Sequence, residues 1–229
     1  YSLVAENISG YWTDVPVEVM ANNEETSTSA SFIYFVIPAP EIAAVPAGII
    51  DGINYIDDNT VILSLYAPYK SYVFVLGDFN NWQYDENFYM KKTAEQNRYW
   101  VQINNLEAGK EYIFQYEVDG EIRIGDPYAE KVSDPWNDQY INNATYPNLI
   151  PYPSGMTTGV ATVLQTAQVP YQWQVTNFTP PAVEDMVVYE LLVRDFTALH
   201  TFQSLIDTIG YFKRLGVNVI ELMPVNEFE

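Results

Sequence analysis

The stretch EYIFQYEVDGEIRI, residues 111–124, decides the fold of the middle of the chain. Its first eight residues combine aromatic and β-branched residues with long polar ones. Such a mixture suits a pleated, half-buried strand. Asp119-Gly120 follows directly, and both residues tolerate a positive φ. The stretch therefore predicts two antiparallel strands joined by a tight hairpin turn.

Further short strands precede this hairpin at a spacing of roughly ten residues. Besides 111–118 and 121–124, the pattern predicts strands at 61–66, 72–76 and 99–103. Aromatic residues make up 15% of the chain, which also favours β structure. Short strands of regular spacing, separated by turn residues, are typical of an antiparallel sandwich. We predict a mostly β chain with a sandwich domain at 50–142.

The sequence on either side of this domain is less regular. Residues 1–49 contain one convincing strand, Phe32–Ile37, and are interpreted as the tail of a preceding domain with a linker. Residues 143–186 are rich in Pro, Thr and Asn and contain one short apolar run, Val160–Leu164. They are interpreted as a long connection that lies over a surface.

Residues 187–229 show a third pattern. Apolar runs at 186–193 and 217–223 flank a segment, 202–215, in which apolar residues recur at spacings of three and four. Gly216 stands where a helix commonly ends with a residue of positive φ. This order predicts a βαβ unit with two parallel strands that are buried on both faces. One such unit cannot cover its own sheet, so we expect its edges to be disordered or to pair with a second copy.

Charge and residue counts exclude several classes of partner. The 30 acidic and 10 basic residues give a formal charge of −20, which repels nucleic acids and anionic lipids and favours a neutral partner. Within the sequence we find no apolar run that is long enough to span a membrane. The chain has no Cys and one His, so thiolate and multi-histidine metal sites are excluded. We expect no cofactor in this chain.

Three motifs at the C-terminal end resemble a known family. YELLVRDF (189–196), LIDTIGYFKRLGVN (205–218) and IELMPVNEF (220–228) resemble the first strand, first helix and second strand of the catalytic barrel in the alpha-amylase family, the family 13 glycoside hydrolases. The resemblance implies that 187–229 begin a (β/α)8 barrel that is incomplete in this chain.

Three further motifs are similar to the domain that precedes such barrels. GDFNNW (77–82), YIFQYEVDG (112–120) and GDPYAEK (125–131) resemble an immunoglobulin-like sandwich that is itself similar to family 48 carbohydrate-binding modules. Some of these modules bind starch or glycogen. The resemblance therefore implies an α-glucan as the partner and an immunoglobulin-like fold for the sandwich.

The resemblance also implies a retaining glycosidase, which needs two carboxyl groups roughly 5 Å apart at the scissile bond. The family carries its catalytic carboxyl groups after the fourth, fifth and seventh barrel strands, so no catalytic residue is assigned here and the chain alone is expected to be inactive. Asp195 and Glu227 allow a paired-carboxylate hypothesis. We prefer the alternative in which Asp195 fixes a turn with Arg194 and Glu227 belongs to a loop. Calcium is expected, if anywhere, in the full-length enzyme.

Trp82 and its neighbour Asn81 are the first candidates for contact with a sugar, because a Gly/Asn turn can present an indole face to a glucose ring. In the alternative, Trp82 packs against the sandwich. Two departures from the family weaken the first hypothesis: Ile122-Arg123 stand where a second Trp is usual, and Gln115 stands where Lys is usual. Trp136 is a third candidate, either for sugar contact or for docking of the barrel.

Three functions are compatible with these features. The first is the N-terminal part of a secreted, cell-surface or periplasmic bacterial enzyme that acts on α-glucans. The second is a carbohydrate-binding module without catalysis, and the third is a structural spacer of a pullulanase or branching enzyme.

Overall fold

The computed structural model describes residues 13–22, 27–223 and 225. The chain divides into two compact units. The first contains residues 1–135 together with 152–168, and the second contains 136–151 together with 169–229.

The described part of the first unit consists of strands and turns. The strands are β1 (Thr13–Asn22), β2 (Ser27–Val36), β3 (Gly52–Asp57), β4 (Thr60–Tyr66), β5 (Val73–Gly77), β6 (Lys91–Lys92), β7 (Arg98–Ile103), β8 (Glu111–Val118), β9 (Ile122–Ile124), β10 (Val132–Ser133) and β11 (Ala161–Gln165). Short 3₁₀ turns at Asp78–Asn80 and Glu86–Phe88 follow β5.

Two antiparallel sheets make up most of this unit. One has the strand order β3-β4-β7-β6, and the other has the order β10-β11-β8-β5 with β9 paired to β8. Apolar side chains of both sheets form one buried cluster, among them Val61, Leu63, Tyr99, Val101, Val73, Val75, Phe114, Tyr116 and Leu164. The predicted antiparallel β-sandwich is therefore confirmed.

The hairpin that the sequence predicts at 111–124 is also present. Asp119 and Gly120 have φ of 54° and 70°, and β8 pairs with β9 from Val118↔Ile122 onward. The φ of Gly120 favours glycine, and a Cβ there would lie 2.8 Å from the Tyr72 hydroxyl oxygen, so the tyrosine side chain would have to shift.

The connection predicted at 143–186 is wrong for part of its length. Strand β11 lies inside it and pairs with β8 on one side and β10 on the other. The short apolar run Val160–Leu164 is therefore a strand of the sandwich, and Ala161 and Leu164 are fully buried. A strand of five residues in a Pro- and Thr-rich segment has too few alternating positions to be recognised from sequence.

The N-terminal 49 residues contain more structure than the predicted single strand and linker. β1 and β2 form an antiparallel hairpin with Thr13 opposite Val36 and Asn22 opposite Ser27. Further along, the Ala43 N–H donates to the Lys92 carbonyl at 3.0 Å. The segment before β3 is thus bonded to the edge strand β6 of the sandwich.

The second unit contains β12 (Val188–Leu191), three helices α1 (Val193–Phe196), α2 (Phe202–Asp207) and α3 (Ile209–Arg214), and β13 (Val219–Leu222). β12 and β13 pair in parallel, as predicted, with Val188 opposite Val219. The predicted single helix is interrupted at Thr208, whose ψ is 0°. The small core of the second unit is formed by Leu191, Val193, Leu205 and Phe212.

The burial predicted for these two strands is wrong. Val188 is 50% exposed and Leu222 is 41% exposed, although both belong to the apolar runs. The prediction assumed helices on both faces of a larger sheet, and in this chain the described helices cover only part of the two strands.

Candidate functional site

The GDFNNW motif forms the turn that follows β5. Asn80 is buried, accepts a 2.9 Å hydrogen bond from the Gly77 N–H and donates a 2.8 Å bond to the Val75 carbonyl. A Cβ on Gly77 would lie 2.6 Å from the Ile113 carbonyl oxygen of β8, so no other residue fits at this crossing. The geometry of the turn follows from Gly77 and Asn80, and it fixes the backbone of the two residues that come next, Asn81 and Trp82.

Asn81 and Trp82 both have a positive φ, 52° and 59°. The Trp82 indole N–H donates a 3.1 Å bond to one oxygen of Asp78, and the Ile113 N–H donates to the other at 2.8 Å. Trp82 is 7% exposed, whereas Asn81 is exposed. The indole therefore packs on the sandwich, and only Asn81 of this pair offers its side chain to solvent.

Gln115 lies one strand away and is also enclosed. Its side-chain amide donates to the Thr158 and Val160 carbonyls at 2.9 and 2.8 Å, and the Thr157 hydroxyl donates to its carbonyl oxygen. Gln115 is 1% exposed. The segment before β11 thus covers the Gln115 side chain.

Glu117, two residues further along β8, is 3% exposed. It accepts a 2.7 Å bond from the Arg123 Nε and a further bond from the Tyr84 hydroxyl. Because Arg123 neutralises it, this buried carboxylate is stable without a ligand. Ile122, which pairs with Val118 in the same hairpin, is 41% exposed.

The sequence analysis did not predict that residues 154–160 lie over the Gln115 side chain of β8. Ser154 to Val160 show no periodic pattern, and the hydrogen bonds of Thr157 and Thr158 to Gln115 join residues that are more than forty positions apart. A buried glutamine in the middle of an apolar strand was the available signal, since a buried amide needs partners from another segment.

Trp136 belongs to the second unit and is 57% exposed. Its carbonyl accepts a 2.8 Å bond from the Gln139 side chain, which fixes the turn that follows it. An exposed indole of this kind is compatible with both earlier hypotheses, sugar contact and docking.

Asp195 forms a bidentate ion pair with Arg194, with N–O distances of 2.8 and 3.2 Å. The hydrogen bond from this guanidinium holds the pKa of Asp195 below its ordinary value. A carboxylate that stays ionised is unsuited to donate a proton, so the turn-fixing role is the better interpretation. Glu227, the other carboxylate considered from sequence, lies outside the described residues.

Within the described ranges, no three carboxylate or imidazole side chains are grouped as a metal ion would require. No helix in the part of the chain that the structure describes has the length and apolar character needed to cross a membrane.

The sandwich is similar to domains of known proteins in sequence. Residues 52–136 match the family described as "Carbohydrate-binding module 48 (Isoamylase N-terminal domain)". Over 173 residues, 76% of this chain and 25% of the relative, the chain is 24% identical to malto-oligosyltrehalose trehalohydrolase of Saccharolobus solfataricus. Over 193 residues, 77% of this chain and 26% of the relative, it is 26% identical to a 1,4-alpha-glucan branching enzyme of Clostridium perfringens strain SM101.

Among solved structures, the fold is similar to that of a Group B Streptococcus pullulanase determined in complex with maltotetraose. The TM-score is 0.55 at 23% identity, with 80% of this chain and 24% of the pullulanase covered. The chain thus spans about a quarter of the length of the relatives it matches.

The sandwich at residues 52–136 is similar to the carbohydrate-binding module 48 domain. The relatives that match the longer stretch are enzymes of the alpha-amylase family, and this chain covers only part of their length.

Proposed function

We propose that this chain is the glucan-binding sandwich and the opening of the catalytic barrel of an alpha-amylase-family enzyme that acts on starch or glycogen. The observation that carries the proposal is the match of 52–136 to a carbohydrate-binding family within a longer similarity to a branching enzyme and a trehalohydrolase. The net charge of −20 supports a neutral polymer as the partner.

The second unit supports the barrel part of the proposal. β12 and β13 are parallel neighbours joined through helices, which is the repeating unit of a (β/α)8 barrel. Phe202 and Ile206 are 53% and 59% exposed on α2, so an apolar surface is present for further elements to cover.

The proposed reaction of the whole enzyme is retaining cleavage or transfer at an α-glucosidic bond. We assign none of its catalytic carboxyl groups to this chain and expect the chain alone to release no reducing sugar from starch. The proposal includes a bacterial enzyme that works outside the cytoplasm, and a calcium ion, where one is used, bound by residues other than those described.

Binding to a soluble glucan tests the proposal directly. The 229-residue chain is titrated calorimetrically with maltoheptaose and, as the control for linkage, with cellohexaose. Saturable heat with the α-linked sugar alone is the expected result. Equal binding of both sugars, or of neither, would contradict an α-glucan module.

A structural spacer is the second candidate, and a specific observation favours it. Trp82 is 7% exposed and Gln115 is 1% exposed, so the face on which the sequence predicted a sugar contact is closed by the chain itself. A spacer would give no heat with maltoheptaose, so the same titration separates the two candidates.

A further inference from the structure

Two turns at one end of the sandwich border an open groove. Tyr66 ends β4 and the turn 67–72 leads into β5, while the turn 93–97 joins β6 to β7. The Ala67 N–H donates a 2.9 Å bond to the Asn97 carbonyl and so holds the two turns side by side. The groove between them has a volume of about 730 Å³. Its lining includes Tyr66, Tyr69, Lys70, Ser71, Gln96 and Asn97.

Tyr69 is exposed to an unusual degree for an aromatic residue. It is 99% exposed, and its backbone has a φ of 65°, a conformation that disfavours bulky side chains. Among the described residues its hydroxyl has no hydrogen-bond partner and its ring has no aromatic neighbour. The ring therefore adds little to the stability of the fold, and both of its faces are accessible to a ligand.

Tyr66 supplies a second ring whose position is fixed. It is 53% exposed, and the Arg98 guanidinium lies 5.2 Å from its ring centre. Arg98 is itself held by Asp51 through bonds of 2.9 and 3.2 Å. A ring that is already oriented loses little conformational entropy when a ligand stacks on it.

The turn that carries Tyr69 is fixed at its base. The Lys70 carbonyl accepts a 2.7 Å bond from the Lys92 side chain and another from the Tyr99 hydroxyl. The Ser71 N–H donates to Asp119 at 2.7 Å. These bonds fix the backbone next to Tyr69, so its side chain starts from a defined point beside the groove.

The cations near the groove already have oxygen partners. Lys70 lies 3.8 Å from Asp119, Lys92 binds a carbonyl, and Arg98 is paired with Asp51. Among the described residues, an anionic ligand would therefore meet only one cation without a carboxylate partner, Lys92, and it would also meet Glu95 in the lining. Aromatic faces beside neutral amides and a hydroxyl are the chemistry that recognises the apolar face and the hydroxyl groups of a sugar.

We propose that this groove binds an α-1,4-linked glucan, with Tyr66 and Tyr69 stacking on its glucose rings and Gln96 and Asn97 bonding its hydroxyl groups. The identity of the sugar rests on the proposed function, whereas the location rests on the groove. The chain would thus bind glucan at the end of the sandwich although its Trp82 face is covered.

The test is titration of the whole chain with maltoheptaose, beside Tyr69→Ala and Tyr66→Ala. Loss of one stacking ring should weaken the association constant about tenfold or more, by analogy with base stacking on aromatic side chains. Tyr69→Phe keeps the ring and should bind almost as well as the wild-type chain. Tyr140→Ala, which removes a 79% exposed tyrosine of the second unit, is the matched control and should bind normally.

Each outcome decides one of the two proposals. If the wild-type chain binds and Tyr69→Ala and Tyr66→Ala bind equally well, the groove proposal is wrong while the proposed function stands. If the wild-type chain gives no saturable binding, both are wrong. Unchanged thermal unfolding of Tyr69→Ala shows that any loss of binding is not a loss of fold, because the ring buries no surface.

Discussion

The indole N–H of Trp82 donates to the carboxylate of Asp78 at 3.1 Å, and the other oxygen of that carboxylate accepts the Ile113 N–H at 2.8 Å. Asp78 therefore joins the turn after β5 to strand β8. A tryptophan in this position stabilises the sandwich through burial and through this bond, and its ring is not available as a free platform.

Trp82→Ala is accordingly expected to destabilise the chain. Truncation of a buried tryptophan leaves a cavity and costs about 3 to 5 kcal/mol of unfolding free energy. Trp82→Phe keeps most of the ring and loses the hydrogen bond, so about 1 to 2 kcal/mol is expected. Urea unfolding followed by circular dichroism measures both values.

The control is Trp173→Ala, which removes an indole that is 76% exposed. It should change the unfolding free energy by less than about 0.5 kcal/mol. Equal stability of Trp82→Ala and Trp173→Ala would show that Trp82 does not pack as described, and would restore it as a candidate for sugar contact.

Gln115 determines whether the segment before β11 stays closed over the sheet. Gln115→Ala removes both bonds to the Thr158 and Val160 carbonyls and the bond from Thr157. We expect amide hydrogen exchange in residues 154–160 to become at least about tenfold faster, since the segment loses the contacts that hold it. Unfolding free energy should fall by about 1 to 3 kcal/mol.

Gln102→Ala is the matched control, because Gln102 is also a strand glutamine but is exposed, and its side chain donates to Asn104 of the neighbouring turn. Exchange at 154–160 should not change in this variant. Slow exchange of the segment in Gln115→Ala would mean that other contacts hold the cover in place.

The sandwich was largely predictable because its signals are local. Asp119-Gly120 requires only its own φ values and the two flanking strands, and β8 coincides with the predicted 111–118. Strand β11 was not predictable in the same way. It is short, follows a segment without pattern, and obtains its stability from pairing with β8, almost fifty residues earlier.

In the candidate site too, features set by neighbouring residues were predictable, and features set by contacts with distant residues were not. The GDFNNW turn was identified from its residues, and Gly77 and Asn80 do form a tight turn. Whether Trp82 faces solvent depends on Asp78 and Ile113, and that contact has no sequence signature. Tyr69 was overlooked because one aromatic residue in a polar turn resembles an ordinary surface position.

Asp126 is expected to make stability depend on pH. Burial raises the pKa of this carboxyl above its ordinary value of 3.8, although bonds from the Tyr116 hydroxyl and the Tyr128 N–H oppose the shift. A raised pKa means that the folded chain favours the protonated form. The contribution of Asp126 is therefore complete below pH 3.8 and is lost as the pH rises through the raised pKa.

Comparison with Asp126→Asn isolates this contribution, because an amide does not titrate. The unfolding free energy of the wild-type chain minus that of the variant should decrease from about pH 3 to about pH 7. Chemical denaturation at several pH values gives the difference. A difference that is constant, or that increases with pH, would show that burial does not control this carboxyl.

The second unit should associate or open when the chain is studied alone. Val188, Phe202, Ile206 and Leu222 are between 41% and 59% exposed, and a parallel pair of two strands has unpaired edges on both sides. We expect light scattering after size exclusion to show a dimer at micromolar concentration, or hydrogen exchange to show no protection in β12 and β13.

Ile206→Asn distinguishes these outcomes, since it removes apolar surface from α2 without touching the four residues of the small core. If association occurs through this surface, the variant should shift toward monomer. Val169→Asn, at an 89% exposed site that begins the second segment of the same unit, should leave the mass unchanged. A wild-type monomer with well-protected amides in both strands would contradict the prediction, because two exposed strands would then be stable without neighbours.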